Sequence, residues 1–244
     1  MQVLIGPSGL LNCRSVFNLD LMRNMSEIIL ESSPLFGHEV LLDQLIECGQ
    51  LFHSRGWSVG TSSNYSAVLN NDPAELIVTA SGKDKGRLGR SDFVHIGADG
   101  GPVEPDQPKS SAETMLHVVL AEQNDIGSIL HTHSVWGTLL SDHFFEDGGL
   151  EIEGFEMLKG LEGITTHQHS HWLPIFENTQ DIPALAELVK ERLSDPMEPM
   201  THGFLIRKHG LYTWGKDVFS ARRHIEIYEF LFECISRKNG FPVV

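Results

Sequence analysis

A chain of 244 residues with 41% apolar content can bury one large core, so a single domain is the default. With 18 Lys plus Arg against 33 Asp plus Glu, the formal charge of -15 excludes a phosphate backbone or an anionic membrane as the main partner, yet leaves room for a local phosphate site. Three cysteines, Cys13, Cys48 and Cys234, have no CxxC spacing, which argues against a disulfide framework and fits a reducing cytoplasm.

The start, MQVLIGPSGLLNCRSVF, has no basic region before an apolar core, and no apolar run approaches eighteen residues, so neither a signal peptide nor a membrane span is expected. Residues 1–36 mix Gly, Pro, Ser and apolar residues without lasting periodicity and read as an arm outside a domain over 37–244. From His38 to His53, Leu42, Leu45, Ile46, Gly49 and Phe52 recur at helical spacing, with Gly56 placed to stop the helix. Tyr65 to Leu69 and Leu76 to Thr79 read as a hairpin around Asn70-Asn71-Asp72-Pro73, and Phe93 to Ile96 as another strand. Ser110 and Glu113 match a capping box before a helix with a stripe of Met115, Leu116, Val119 and Leu120. The strand Ile129 to His133 follows. Pro183 to Leu193 is helical, and Asp217 caps a last long helix running toward Gly240. The pattern is a sheet between helices.

His131 and His133 carry the strongest chemical signal. On a strand, side chains two apart share a face, so both imidazoles project together. Such a pair also fits any half-buried strand. A third histidine, His209, ends the apolar run Gly203 to Ile206, and three neutral nitrogens with one open position are how a catalytic metal is held. Thr61-Ser62-Ser63-Asn64, Ser81-Gly82-Lys83 and Ser110-Ser111 offer hydroxyls and backbone N–H groups for a phosphate, although each alone reads as a turn or cap. Glu113 is as well explained by the capping box as by chemistry. Glu156 lies between apolar neighbours, where a carboxyl can acquire the raised pKa of a general acid or base, although a solvated helix face would also account for it. His167, His169 and His171 form a denser set, but positions 167 and 171 lie roughly 13 Å apart along a strand, too far to share one ion. One of them would line the substrate site.

The segments GWSVGTSSNYS, IVTASGKDKGRL, SSAETMLH, ILHTHSVWGTLLS, FEMLKGLEG, HWLPIFENTQDI and FLIRKHGLYTWG together resemble the class II aldolase and adducin superfamily from His38 to the C-terminus. SGKDKGRL, EMLKG, ENTQDI and HGLYTWG are similar to its dehydratase branch, which acts on methylthioribulose 1-phosphate in methionine salvage. The resemblance implies a three-layer α/β/α fold with a central, mainly antiparallel sheet, and a homotetramer with active sites near subunit interfaces. It implies one Zn²⁺ per subunit on His131, His133 and His209, and a catalytic Glu156. It implies phosphate or substrate contacts from Ser62, Ser63, Asn64, Ser81, Gly82, Ser110, Ser111 and Glu113. Where many relatives have Gly-Asn, this chain has Ser63-Asn64, and Ala112 is an extra residue before Glu113. A zinc aldolase or epimerase acting on another ketose phosphate is the nearest alternative, and a non-catalytic adducin-like interaction domain is the other.

Overall fold

The computed structural model describes residues 28–197 and 199–241, so the arm expected over 1–36 lies mostly outside the described residues. Helix α1 (Glu39–Ser54) buries Leu42, Leu45, Cys48, Gly49 and Phe52, the stripe that its periodicity marks. It ends where Gly56 takes a left-handed φ of 76°, a conformation glycine adopts without steric penalty. Strands β1 (Asn64–Asn71) and β2 (Ala74–Thr79) form the expected hairpin, with β1 extended so that only Asp72-Pro73 makes the turn. Then come β3 (Phe93–Ile96), α2 (Thr114–Ala121), β4 (Ser128–Thr132), α3 (Val135–His143), β5 (Gly149–Glu153) and β6 (Ser170–Phe176). Helix α4 (Ile182–Leu193), β7 (Gly203–Ile206), β8 (Gly210–Gly215) and α5 (Val218–Lys238) complete the described elements. No helix among the described residues is long and apolar enough to cross a membrane.

The eight strands form one sheet in the order β3-β2-β1-β4-β8-β7-β6-β5, antiparallel at every junction except the parallel β6–β7 pair. Strand β4 is buried at all five positions, as expected for a strand packed on both faces. Its neighbours Leu130 and Ile129 join different apolar clusters. Leu130 belongs to the cluster that holds Leu42, Phe52, Ile225 and Phe232 of α1 and α5, whereas Ile129 belongs to the one that holds Leu116, Val119, Leu185 and Val189 of α2 and α4. Truncating either to alanine would cost ~2–5 kcal/mol through lost transfer energy and the cavity left behind.

The register around β4 builds the site. His131 pairs with Asn64 on β1 and with Tyr212 on β8, so the three occupy one row across the sheet. Gly210 makes the close start of β8 feasible, since a Cβ there would collide with the carbonyl oxygen of Thr132.

Candidate functional site

His131 lies on β4 with no solvent exposure, and His133 lies just past the strand end, its N–H donating to the Trp57 carbonyl at 2.8 Å. His209 sits in the turn between β7 and β8, where the preceding Lys208 adopts a φ of 53° to reverse the chain. One nitrogen from each of the three rings lies within 4.8 Å of the others. The His131 Nδ1–H donates to the Leu211 carbonyl at 2.9 Å, which fixes the tautomer and leaves the Nε2 lone pair facing the other rings. The Tyr212 ring stacks on His131 at 4.0 Å between centroids and holds its plane. Burial, reinforced by the neighbouring histidines, keeps His131 well below the ordinary imidazole range and pushes His133 down to about 4. Neutral nitrogens, a ring anchored by the Leu211 carbonyl and three donors match a site that could hold a divalent metal with a position open for substrate. The three residues therefore fit a metal ion.

Glu113 faces the same rings. Its carboxylate oxygens lie 3.4 Å from His209 Nε2 and 3.6 Å from His131 Nε2, and Oε2 accepts from Asn64 Nδ2 at 2.8 Å. The capping box expected from Ser110 and Glu113 does not form. Ser110 is drawn into a β-bridge with Ala80, the helix starts only at Thr114, and Glu113 occupies the cap position without a side-chain cap bond. Tertiary pairing thus overrides a local pattern and frees the carboxylate to turn toward the histidines.

A cavity of about 360 Å³ opens beside His133 and His209. Ser62, Ser63, Asn64, Ser81, Gly82, Ser111 and Glu113, from three separate stretches of chain, line its wall, while Ser110 does not. The Asn64 side chain is already engaged by Ser111, Glu113 and His117. Ser63 has a φ of 72°, the left-handed region that favours glycine, so the serine there carries a steric cost of ~1–2 kcal/mol.

Lys85 is the residue of this cavity that sequence reasoning passed over, although it falls in the quoted SGKDKGRL segment. It is 1% exposed, and its Nζ donates to the carbonyls of Lys83 at 2.8 Å and Thr61 at 3.4 Å. No carboxylate lies within ion-pair distance of it among the described residues. Burial pushes this ammonium down to about 8. Gly49 of α1 makes the approach possible, because a Cβ there would strike the Lys85 carbonyl. Asn178, Thr179 and Gln180, from ENTQDI, complete the rim.

Glu156 stands apart. It opens a 3₁₀ turn over Glu156–Gly160, its side chain is 69% exposed, and it pairs with Lys159 and with His167 at 3.4 Å rather than lining the cavity. The raised pKa anticipated from its apolar neighbours is not found: the hydrogen bond from Lys159 holds the carboxyl below its ordinary value. Of His167, His169 and His171, only His171 lies on a strand. It hydrogen-bonds Tyr228 at 2.7 Å, and with His169 and His202 it lines a separate cavity, so none of the three reaches the His133 side.

The sequence profile described as "Class II Aldolase and Adducin N-terminal domain" matches residues 43–236. The chain belongs to this family. Among class II aldolase relatives it is 45% identical over 191 residues to "Methylthioribulose-1-phosphate dehydratase" of Marinobacter nauticus, covering 78% of this chain and 89% of that one. It is 44% identical to the protein of the same name in Sorangium cellulosum, covering 81% and 92%. Solved structures share the class II aldolase fold. YgbL from Escherichia coli aligns with a TM-score of 0.68 at 22% identity over 84% of this chain and 92% of that one, and an L-fuculose 1-phosphate aldolase with 0.65 at 20% over 84% and 90%.

Proposed function

We propose that this chain dehydrates 5-methylthioribulose 1-phosphate to 2,3-diketo-5-methylthiopentyl 1-phosphate and water, a lyase step of methionine salvage. The observation that carries the reading is identity of 44–45% with dehydratases over about four fifths of the chain, joined to a histidine triad that opens on a hydroxyl-lined cavity. Zinc, one ion per subunit on His131, His133 and His209, would supply Lewis-acid polarisation of the substrate's C2 ketone. The C3 hydrogen is acidified by that ketone and the C4 hydroxyl is placed to leave. Ser62, Ser63, Ser81, Gly82 and Ser111 hold the phosphate by hydroxyl and backbone donors, and Lys85 supplies the positive charge. Glu113 orients the substrate beside the rings. Glu156 is the principal acid/base, moving a proton from C3 to the departing C4 oxygen, after which the enol tautomerises to the diketone.

Glu156 is exposed and outside its own chain's cavity, which supports a homotetramer in which it serves a neighbouring subunit's site. The two apolar clusters meeting at β4 support a three-layer α/β/α domain over 37–244, preceded by an arm over 1–36. The acidic charge and scattered cysteines support a cytoplasmic enzyme with no nucleic-acid or membrane partner. The likeness to an L-fuculose 1-phosphate aldolase keeps C3–C4 cleavage as the second reading, since the same polarised ketone serves both reactions. Incubation with 5-methylthioribulose 1-phosphate decides between them: diketone formation supports dehydration, and two fragments would overturn it.

A further inference from the structure

We propose that His117 is a positioning residue that holds the Glu113 carboxylate against the metal-binding histidines through Asn64. His117 lies on α2, fully buried, and does not line the cavity. Its Nδ1 is 2.7 Å from Ser66 Oγ and its Nε2 is 2.5 Å from Asn64 Oδ1. The Asn64 Nδ2 in turn lies 2.8 Å from Glu113 Oε2.

The direction of each bond follows from donor and acceptor chemistry. A carboxylate only accepts, so Asn64 must turn its amide nitrogen to Glu113 and its oxygen to His117. His117 must then carry its proton on Nε2, and Nδ1 accepts from the Ser66 hydroxyl. Burial pushes the ring down to about 3, so it stays neutral with one donor and one acceptor, as this arrangement requires. The three bonds point the same way, from Ser66 through His117 and Asn64 to Glu113, and such aligned bonds polarise one another. The β1–β4 register sets the far end, because Asn64 is paired with His131. Ser111 Oγ, 3.2 Å from Asn64 Nδ2 and from the Glu113 N–H, braces the same junction. Without His117, Asn64 loses its orientation and Glu113 is free to rotate away from His131 and His209.

The turnover arm of the test rests on the dehydratase reading; the crystallographic arm does not. His117→Gln can still donate to Asn64 Oδ1 and accept from Ser66, whereas His117→Leu can do neither. The expected result is that crystals of His117→Leu show Glu113 turned away from His209 while His117→Gln keeps it in place. In turnover, His117→Leu loses about 10²-fold in kcat with little change in KM and with metal content retained, and His117→Gln recovers most of it. Glu113 unmoved in the His117→Leu crystal, or the two variants equally impaired, overturns the proposal. Should His117→Leu fail to fold, Ser66→Ala removes the first donor, and an unmoved Glu113 with unchanged kcat is then the overturning result. A wild-type chain that does not dehydrate the substrate counts against the function alone, because the crystals still decide the role of His117.

Discussion

The Nδ1–H of His131 donates to the carbonyl of Leu211, so the strand that neighbours β4 decides which nitrogen of His131 faces the metal position. The anchor and the ligand belong to one ring. His131→Ala removes both, and the expected outcome is loss of bound divalent metal together with at least ~10²-fold loss of turnover. Metal analysis after gentle purification checks it, and a fully metallated His131→Ala protein would remove this residue from the ligand set.

Lys85 donates to two carbonyls and meets no carboxylate at ion-pair distance among the described residues, so its charge is left for an anion entering the cavity. Charge-assisted hydrogen bonds contribute about 1.5–3 kcal/mol, so Lys85→Met should raise KM by ~10–100-fold and weaken competitive inhibition by inorganic phosphate similarly, with kcat much less affected. Equal phosphate inhibition of the variant and the wild type would sink the assignment.

Glu156 lies away from the histidines of its own chain, which makes a mixing experiment informative. Glu156→Gln should keep its metal and lose turnover, whereas His131→Ala should lose turnover together with its metal. Subunits of the two inactive proteins, unfolded and reassembled together, should regain a fraction of wild-type activity at interfaces that pair an intact triad with an intact Glu156. No recovery from mixed oligomers would place Glu156 at the site of its own chain or out of the reaction.

Acid should loosen the fold through histidines remote from the metal site. Burial pushes His171 down to about 3 and His224 down to about 4, while His171 bonds Tyr228 and His224 donates to the Trp214 carbonyl. In the unfolded chain both titrate near 6.5, so between about pH 6.5 and 4 the unfolded state binds more protons than the native one. Stability therefore falls as pH drops through that window, by up to about 1.4 kcal/mol per pH unit for each histidine. Urea denaturation at pH 7 and pH 5 reads this, and His171→Gln should show a shallower loss. An identical pH slope in the two proteins would discount His171.

The parts of the site legible in the sequence are those governed by short-range rules. The spacing of His131 and His133 is read directly from strand alternation, and the serine and glycine stretches announce their loops through composition. Long-range packing hides the rest. Lys85 points into the cavity because Gly49, on a helix far away in sequence, lets the chain approach, and no local pattern encodes that contact. The cap motif at Glu113 is local, whereas the bridge between Ser110 and Ala80 that dissolves it is not. In β5 the alternation Leu150-Glu151-Ile152-Glu153 is that of a strand with one exposed face, but the run is short, and its pairing with β6 near the sheet edge is a long-range contact.

The row Asn64–His131–Tyr212 places His131 in the interior of an eight-stranded sheet, whereas the cavity wall comes from connecting segments around residues 61–63, 81–85 and 178–180. Floor and wall can therefore vary separately. Substrate preference in this scaffold should be retuned by exchanging the three wall segments while the reactive floor is left untouched, which makes the chain a starting point for lyases acting on other sugar phosphates.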